Sequence, residues 1–260
     1  MTRCSIELLG TGTSDGIPRL GCSCPVCCSE DLCDRRLRTS ALLRIPGEAE
    51  QTIVIDTGPD FRQQALASRL SSLDAVLITH SHTDHLEGIT ELRPLSLFHG
   101  KEIPCFGTET TLKTIRQRFA YIFTPGKEGG GLPLIRLTKF DGPFELFGKK
   151  ITPLPVLHGT EWITGFRFGE LAYITDASRI PESTLSLMRG IKTLILNALR
   201  HKPHSTHFSI DEAVEFSRSC GAVRTRLVHL SHKVGHRALH KSLPENIRPA
   251  YDTERLTFRW

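Results

Sequence analysis

The stretch His80-Ser81-His82-Thr83-Asp84-His85 decides how this chain folds and what it can bind. It follows an apolar run, Ala75-Val76-Leu77-Ile78-Thr79, that reads as a buried β-strand. Alternation along an extended segment points His80 and His82 the same way. Asp84 and His85 then fall at the strand exit, where the chain turns into a predicted helix. Imidazoles and a carboxylate converging at the end of a buried strand suit a transition-metal hydrolytic site.

The rest of the chain is ordinary in composition. Its 260 residues are 39% hydrophobic and 23% charged, with a net charge of +5, as in a soluble globular protein able to bury one sizeable core. Lys and Arg are scattered, so no block reads as a nucleic-acid arm and nucleic acid is not an expected partner. A small anionic substrate fits the mild basic excess. The first residues, Met1 to Gly10, are too polar for a signal peptide, and no run approaches the roughly 18 apolar residues of a membrane span. A cytoplasmic protein is expected, with no membrane partner.

Short apolar runs predict strands over Ser5–Leu9, Ser40–Ile45, Thr52–Asp56, Ala75–Thr79, Ile103–Gly107, Ile163–Phe168, Leu171–Thr175, Thr193–Leu196 and Arg226–Leu230. Helical patterns cover Asp60–Leu70, Glu109–Phe123, Pro181–Arg189 and Ile210–Ser219, the last opened by a Ser209/Glu212 capping box. Strands in series, a helix, more strands and then alternating helix and strand suggest two sheets packed face to face with helices outside. Lys127 to Gly131 reads as a flexible loop without a composition shift across it. Residues 1–260 are therefore expected to form one domain.

Further metal ligands are on offer. His158 follows the run Ile151 to Leu157, Asp176 follows Leu171 to Thr175, and His229 lies in Arg226 to Leu230. Each falls at or near a strand's C-terminal end. Five of the eight cysteines (Cys22, Cys24, Cys27, Cys28 and Cys33) crowd into one loop, which in a reducing compartment points to metal rather than to disulfides. Cys22, Cys24 and Cys27 can wrap one tetrahedral zinc given a fourth ligand. Cys28, Cys33, His232 and His236 all remain candidates on spacing alone.

The order of His-x-His-x-Asp-His, a distant His, a distant Asp and a late His resembles the metallo-β-lactamase superfamily, as does Asp56-Thr57-Gly58. The resemblance implies an αββα sandwich, a four-layer α/β fold, with its site along the shared edge of two sheets. It further implies that His80, His82 and His158 bind one divalent ion and that Asp84, His85 and His229 bind a second. Asp176 would bridge the two. Zn, Mn and Fe all suit such donors. Leu9-Gly10-Thr11-Gly12-Thr13-Ser14-Asp15-Gly16, the Cys loop, and Asp34 to Ser40 resemble the phosphoribosyl 1,2-cyclic phosphate phosphodiesterases of the carbon–phosphorus lyase pathway. That branch implies a structural zinc on Cys22, Cys24, Cys27 and His232. It places His207, in the His201/His204/His207 loop, as the acid/base or phosphate-stabilising residue. Beside the metals, Asp84 and His207 are thus the catalytic candidates, the reaction being attack of a bridging hydroxide on a small phosphodiester.

The same superfamily contains tRNA 3′-processing nucleases, thiolester and lactone hydrolases, and non-catalytic carriers of pyrroloquinoline quinone biosynthesis. No long basic insertion suited to gripping tRNA is present, and the complete ligand set argues against lost catalysis. Asn197 stands where many relatives carry Asp. The Gly10–Gly16 turn is expected to shape the entrance beside the Cys loop. Arg35, Arg36 and Arg38 are expected to form a solvated basic turn. A homodimer is the assembly expected on general grounds.

Overall fold

The computed structural model describes residues 2–124 and 131–260, so most of the predicted Lys127–Gly131 loop lies outside the described residues. In chain order the strands are β1 (Arg3–Gly10), β2 (Ser40–Ile45), β3 (Gln51–Ile55), β4 (Ala75–Leu77), β5 (Ile103–Gly107), β6 (Ile135–Lys139) and β7 (Phe144–Leu146). They continue with β8 (Lys149–His158), β9 (Glu161–Phe168), β10 (Leu171–Ile174), β11 (Thr193–Asn197), β12 (Arg224–Val228), β13 (Ile247–Pro249) and β14 (Arg255–Arg259). The helices are α1 (Phe61–Ala67), α2 (Thr83–Leu86), α3 (Leu92–His99), α4 (Glu109–Arg118), α5 (Glu182–Met188), α6 (Ile210–Ser219) and α7 (His236–Ser242).

Two seven-stranded sheets result, in the orders β14-β1-β2-β3-β4-β5-β6 and β13-β12-β11-β10-β9-β8-β7. Period-2 alternation explains how they stack. Leu43, Ile53, Ile55, Phe166, Tyr173 and Ile195 point into the layer between the sheets. Their strand neighbours Leu42 and Val54 point outward against the α1, α3 and α4 side, joining Phe61, Leu92 and Ile115. Ala172, Leu194 and Leu196 point outward against α5, α6 and α7, joining Met188, Ala213 and Leu239. Strands buried on both faces read as continuous apolar runs, which is why the sequence predicts them well. The result is the four-layer αββα sandwich. Among the described residues no helix is long and apolar enough to cross a membrane.

Parallel pairing sets where the site lies. β3, β4, β5 and β6 run parallel, and so do β10, β11, β12 and β13. The loops leaving β3, β4, β10, β11 and β12 therefore open on one edge. A hydrogen bond from Thr164 N to Thr79 O (3.1 Å) ties the sheets together there.

Several boundaries differ from expectation. The strand before the histidine motif is only Ala75–Leu77, because Thr79 N leaves the ladder to donate to Asp56 Oδ1 (2.8 Å). The Glu109–Phe123 helix stops at Arg118 and resumes as a short 3₁₀ turn over Ala120–Ile122. The capping box forms as expected, with Ser209 and Glu212 each accepting from the other's backbone N–H. Helices α3 and α7 and strands β6, β7, β13 and β14 were not among the predicted elements. The arginines correct another expectation. Arg36 is buried, pairs with Asp34 at 2.9 Å and donates to Val234 O, while Arg38 pairs with Asp60 at 2.8 Å. They brace the Cys loop and the start of α1; only Arg35 is exposed.

Glycines let the metal motif sit against the β3 exit. A Cβ on Gly58 would lie 2.0 Å from Asp84 O, and one on Gly88 would lie 2.0 Å from Gly58 O. Backbone on both sides leaves no flexible atom to give way. Gly58→Ala should therefore destabilise by about 3 kcal/mol or more, at or above the usual cost of overpacking, and should reduce bound metal. Thermal melts and metal analysis check this; a wild-type melt with full metal would show that the close approach is not a constraint.

Candidate metal centre

Each site residue sits at the end of a strand, in the loop that follows, or on the short helix after that loop. Asp56 follows β3, His80 and His82 lie between β4 and α2, and Asp84 and His85 lie on α2. His158 ends β8, Asp176 follows β10, and His229 follows β12. Asp56, Asp176 and His229 have φ of 62°, 60° and 57°. The left-handed region costs an L-residue roughly 1–2 kcal/mol, and such strain gathers at functional sites. Here it turns the chain sharply at the strand end and swings the side chain into the edge between the sheets.

Asp176 Oδ2 is the point of convergence. It lies 3.3 Å from His229 Nε2, 3.4 Å from both His85 Nε2 and His207 Nε2, and 3.9 Å from His80 Nε2. Asp84 Oδ2 lies 3.3 Å from His85 Nε2 and 3.5 Å from His229 Nε2. The His80 ring is 4.6 Å from that of His82 and 5.8 Å from that of His158, and His82 and His158 are 5.0 Å apart. The structure thus brings together all seven residues expected to form the dinuclear site. Two tighter groups stand out within it: Asp84, His85, Asp176 and His229, and His158, Asp176 and His207. His207 is closer in than its expected place beside the metals, while His82 turns its Nε2 toward Glu161 Oε2 at 3.5 Å.

The neighbours decide which imidazole nitrogen is free. His85 Nδ1 donates to Asp56 Oδ2 at 2.7 Å. His158 Nδ1 donates to the carbonyls of Asp176 (2.7 Å) and Thr206 (2.8 Å). Thr79 Oγ1 donates to Asp56 Oδ2, so it can accept from His80 Nδ1 at 3.0 Å. With the proton held on Nδ1, each Nε2 presents a lone pair, the arrangement that a metal ligand needs. Among the described residues the Nε2 atoms of His80, His85, His207 and His229 are buried without a hydrogen-bond partner. Buried polar atoms rarely stay unpaired, and this set of orphans around one carboxylate fits divalent cations.

The electrostatics show a carboxylate cluster that favours positive charge at its centre. Burial penalises the Asp176 carboxylate, but His229, His85 and His207 outweigh it and hold its pKa well below the usual carboxylate range. Burial likewise opposes charge on His85, yet Asp176, Asp84 and Asp56 raise its pKa well above the ordinary value. Burial pushes His80 well below that value and lowers His207 to about 4. His207 stacks on His229 with ring centroids 4.8 Å apart. Thr206 Oγ1 lies 2.8 Å from its Nδ1.

The second cluster joins the Cys loop to the segment that carries His229. Sγ of Cys22 and Cys24 lie 3.4 Å and 3.5 Å from His232 Nδ1, and Cys27 completes the group. A tetrahedral zinc with Zn–S about 2.3 Å and Zn–N about 2.0 Å requires S···N edges of roughly 3.5 Å, so the donors fit. The backbone N–H of Cys27 and the His232 ring lower the Cys24 thiol to about 6, favouring the thiolate. Cys28 is exposed, and neither it nor Cys33 joins the group. Of the four candidates left open by spacing, His232 is the one that reaches the thiols. The Gly10–Gly16 turn packs beside this region through Thr13 N to Leu230 O and Leu230 N to Thr11 O.

Two positioning residues were not assigned from the sequence. Asp56, noted there only as part of a motif, orients His85 and Thr79 together. An Asp directly after an apolar strand was the available signal. Asn197 clamps the backbone next to Asp176, accepting from Ala177 N (2.8 Å) and donating to Ala177 O (2.9 Å). An amide can do both, whereas a carboxylate only accepts. His201 is exposed, and His204 reaches only the Thr206 and His207 side of the site.

A model of the Beta-lactamase superfamily domain matches residues 51–230. An octanoyltransferase of Porphyromonas gingivalis is 40% identical over 252 residues, 94% of this chain and 50% of that protein. The chain therefore spans about half the length of that relative. Among solved structures, a diphosphatase of the PhnP family is 38% identical, covers 98% of both chains and superposes with a TM-score of 0.91. Zn²⁺-bound PqqB from Methylobacterium extorquens is 17% identical, covers 97% of this chain and 99% of its own, and superposes at 0.77.

Asn197→Asp removes the amide donor to Ala177 O, leaving that carbonyl with Phe208 N alone (2.8 Å), and buries another negative charge near Asp176. It should destabilise by about 1–3 kcal/mol and weaken metal retention. Melting with and without added Mn²⁺ or Zn²⁺ reads both effects; identical curves for the two proteins would remove Asn197 from the site's support.

Proposed function

This chain belongs to the β-lactamase superfamily and to its PhnP family, and on that footing we propose that it is a metal-dependent phosphodiesterase. The fold and its relatives are those of a metal-dependent hydrolase; the finer reading is hydrolysis of a small cyclic or unhindered phosphodiester, of the ribose 1,2-cyclic phosphate type. The observation that carries it is the convergence of four buried, unpartnered imidazole nitrogens on Asp176 Oδ2.

In this reading His80, His82 and His158 hold one ion, Asp84, His85 and His229 hold the other, and Asp176 lies between them. Two such ions neutralise charge developing on a phosphoryl group and lower the pKa of water. The chain's own residues supply the rest. Asp56 and the carbonyls of Asp176 and Thr206 keep the imidazole nitrogens aimed inward. His207, lowered to about 4 by burial, is neutral near pH 7. It takes the proton of the attacking water and returns it to the departing alkoxide as the P–O bond breaks. Cys22, Cys24, Cys27 and His232 hold a structural zinc, three residues along the chain from His229.

The test is turnover of a model aryl phosphodiester with Mn²⁺ or Zn²⁺ present. We expect activity that is lost in His80→Ala/His82→Ala and reduced about 10²–10⁴-fold in His207→Ala. No turnover above the double variant would sink the phosphodiesterase reading. Metal analysis should find about three equivalents per chain, the expected two catalytic ions and one structural ion, with one lost in Cys24→Ala. A single equivalent, lost in that variant, would favour a binding protein instead.

The 40% identity to half of an octanoyltransferase favours a second reading, hydrolysis of an acyl ester by the same centre. Turnover of an octanoyl thioester faster than any phosphodiester would select it.

A further inference from the structure

A cavity of about 520 Å³ borders the metal centre, lined by His80, Ser81, Thr108, Glu161 and Trp162 among others. A second cavity, of about 500 Å³, continues from it. The two share Thr108, Thr110, Trp162 and Ile163, so one groove runs from the metal ligands into the second space. Each is large enough for a small-molecule ligand.

Trp162 forms the wall common to both. It sits in the β8–β9 hairpin, where His158 is paired with Glu161 and Leu157 with Trp162. The hairpin that supplies one expected metal ligand therefore also supplies this indole. Trp162 is 63% exposed, an unusual state for so large an apolar ring, and no aromatic ring packs on it among the described residues. Phe140, Pro143, Pro153 and Leu187 make the far walls apolar. The lining also carries the hydroxyls of Thr108, Thr110 and Thr152 and the carboxylates of Glu109 and Asp141. Lys139 lies 3.5 Å and 3.1 Å from those carboxylates.

We propose that this groove is a nucleoside subsite, in which a heteroaromatic base stacks on Trp162 and the attached phosphodiester reaches the metal centre. A flat π-face calls for a flat partner. The threonine hydroxyls and rim carboxylates match the hydrogen-bonding edge of a base or a ribose. An alkyl chain would gain nothing from those polar groups or from the flat face of the ring. The substrate class is then a nucleoside-bearing diester, a narrower set than small phosphodiesters in general. This inference rests on the phosphodiester reading for its chemistry, but the groove itself does not depend on turnover.

Two measurements separate the claims. The first compares thymidine 5′-(p-nitrophenyl phosphate) with methyl p-nitrophenyl phosphate, which share a leaving group and differ in the nucleoside. The subsite predicts a higher kcat/KM for the nucleoside ester, with Trp162→Ala lowering the ratio of the two about tenfold, through KM, and Trp162→Phe retaining most of it. The second titrates AMP against tryptophan fluorescence. The signal should quench in the wild-type protein and stay unchanged in Trp162→Ala, because Trp260 is buried. Equal turnover of both esters without quenching overturns the subsite. Quenching by sodium octanoate but not by AMP overturns the nucleoside assignment in favour of an acyl chain. AMP quenching with no turnover of either ester upholds the subsite while the phosphodiesterase reading fails.

Discussion

One buried carboxylate organises this molecule. Asp176 is 2% exposed, yet its Oδ2 faces imidazoles carried by the loops after β4 and β12 and by the segment leading into α6. A carboxylate so enclosed is costly unless cations or strong donors surround it. The other sheet supplies part of that surround, through His80 and His85. The interface between the sheets and the site at their edge are therefore one problem: if the sheets shift, the charge on Asp176 loses its partners.

The supporting layer shows how the arrangement is held. Asp56 fixes His85 and Thr79, and Thr79 in turn fixes His80. Two backbone carbonyls fix His158, and Asn197 fixes the turn after Asp176. Each of these contacts spends a donor or acceptor away from the centre, which leaves Nε2 atoms bare inside it. The left-handed backbone at Asp56, Asp176 and His229 is the cost of aiming short side chains inward. The interlocked glycines Gly58 and Gly88 bring the motif helix close enough to meet them.

The Cys loop belongs to the same system. His229 and His232 are separated by two residues, one facing Asp176 and the other facing the thiols of Cys22 and Cys24. Arg36, buried and hydrogen-bonded to Ser231 O and Val234 O on either side of His232, braces this segment. A residue expected in solvent is a structural pin.

Local chemistry made much of this readable in one dimension. Strands buried on both faces appear as apolar runs, and metal donors appear as His, Asp and Cys at strand ends and in one loop. The two-sheet architecture and the ligand candidates follow from those patterns. Short edge strands such as β7 and β13 carry little pattern, and helix α3 carries Pro94 in its first turn, which reads as a breaker in the sequence, so they escaped. What only the folded chain decided are contacts between residues far apart in sequence. It chose His232 over three rival fourth ligands, closed Asp56 on His85, set the Asn197 amide against both backbone groups of Ala177, and put Trp162 beside the metal edge. Spacing along a chain encodes which groups are present and how the nearest of them are turned. Which distant groups meet is determined by sheet order and register, and those emerge from packing the whole core.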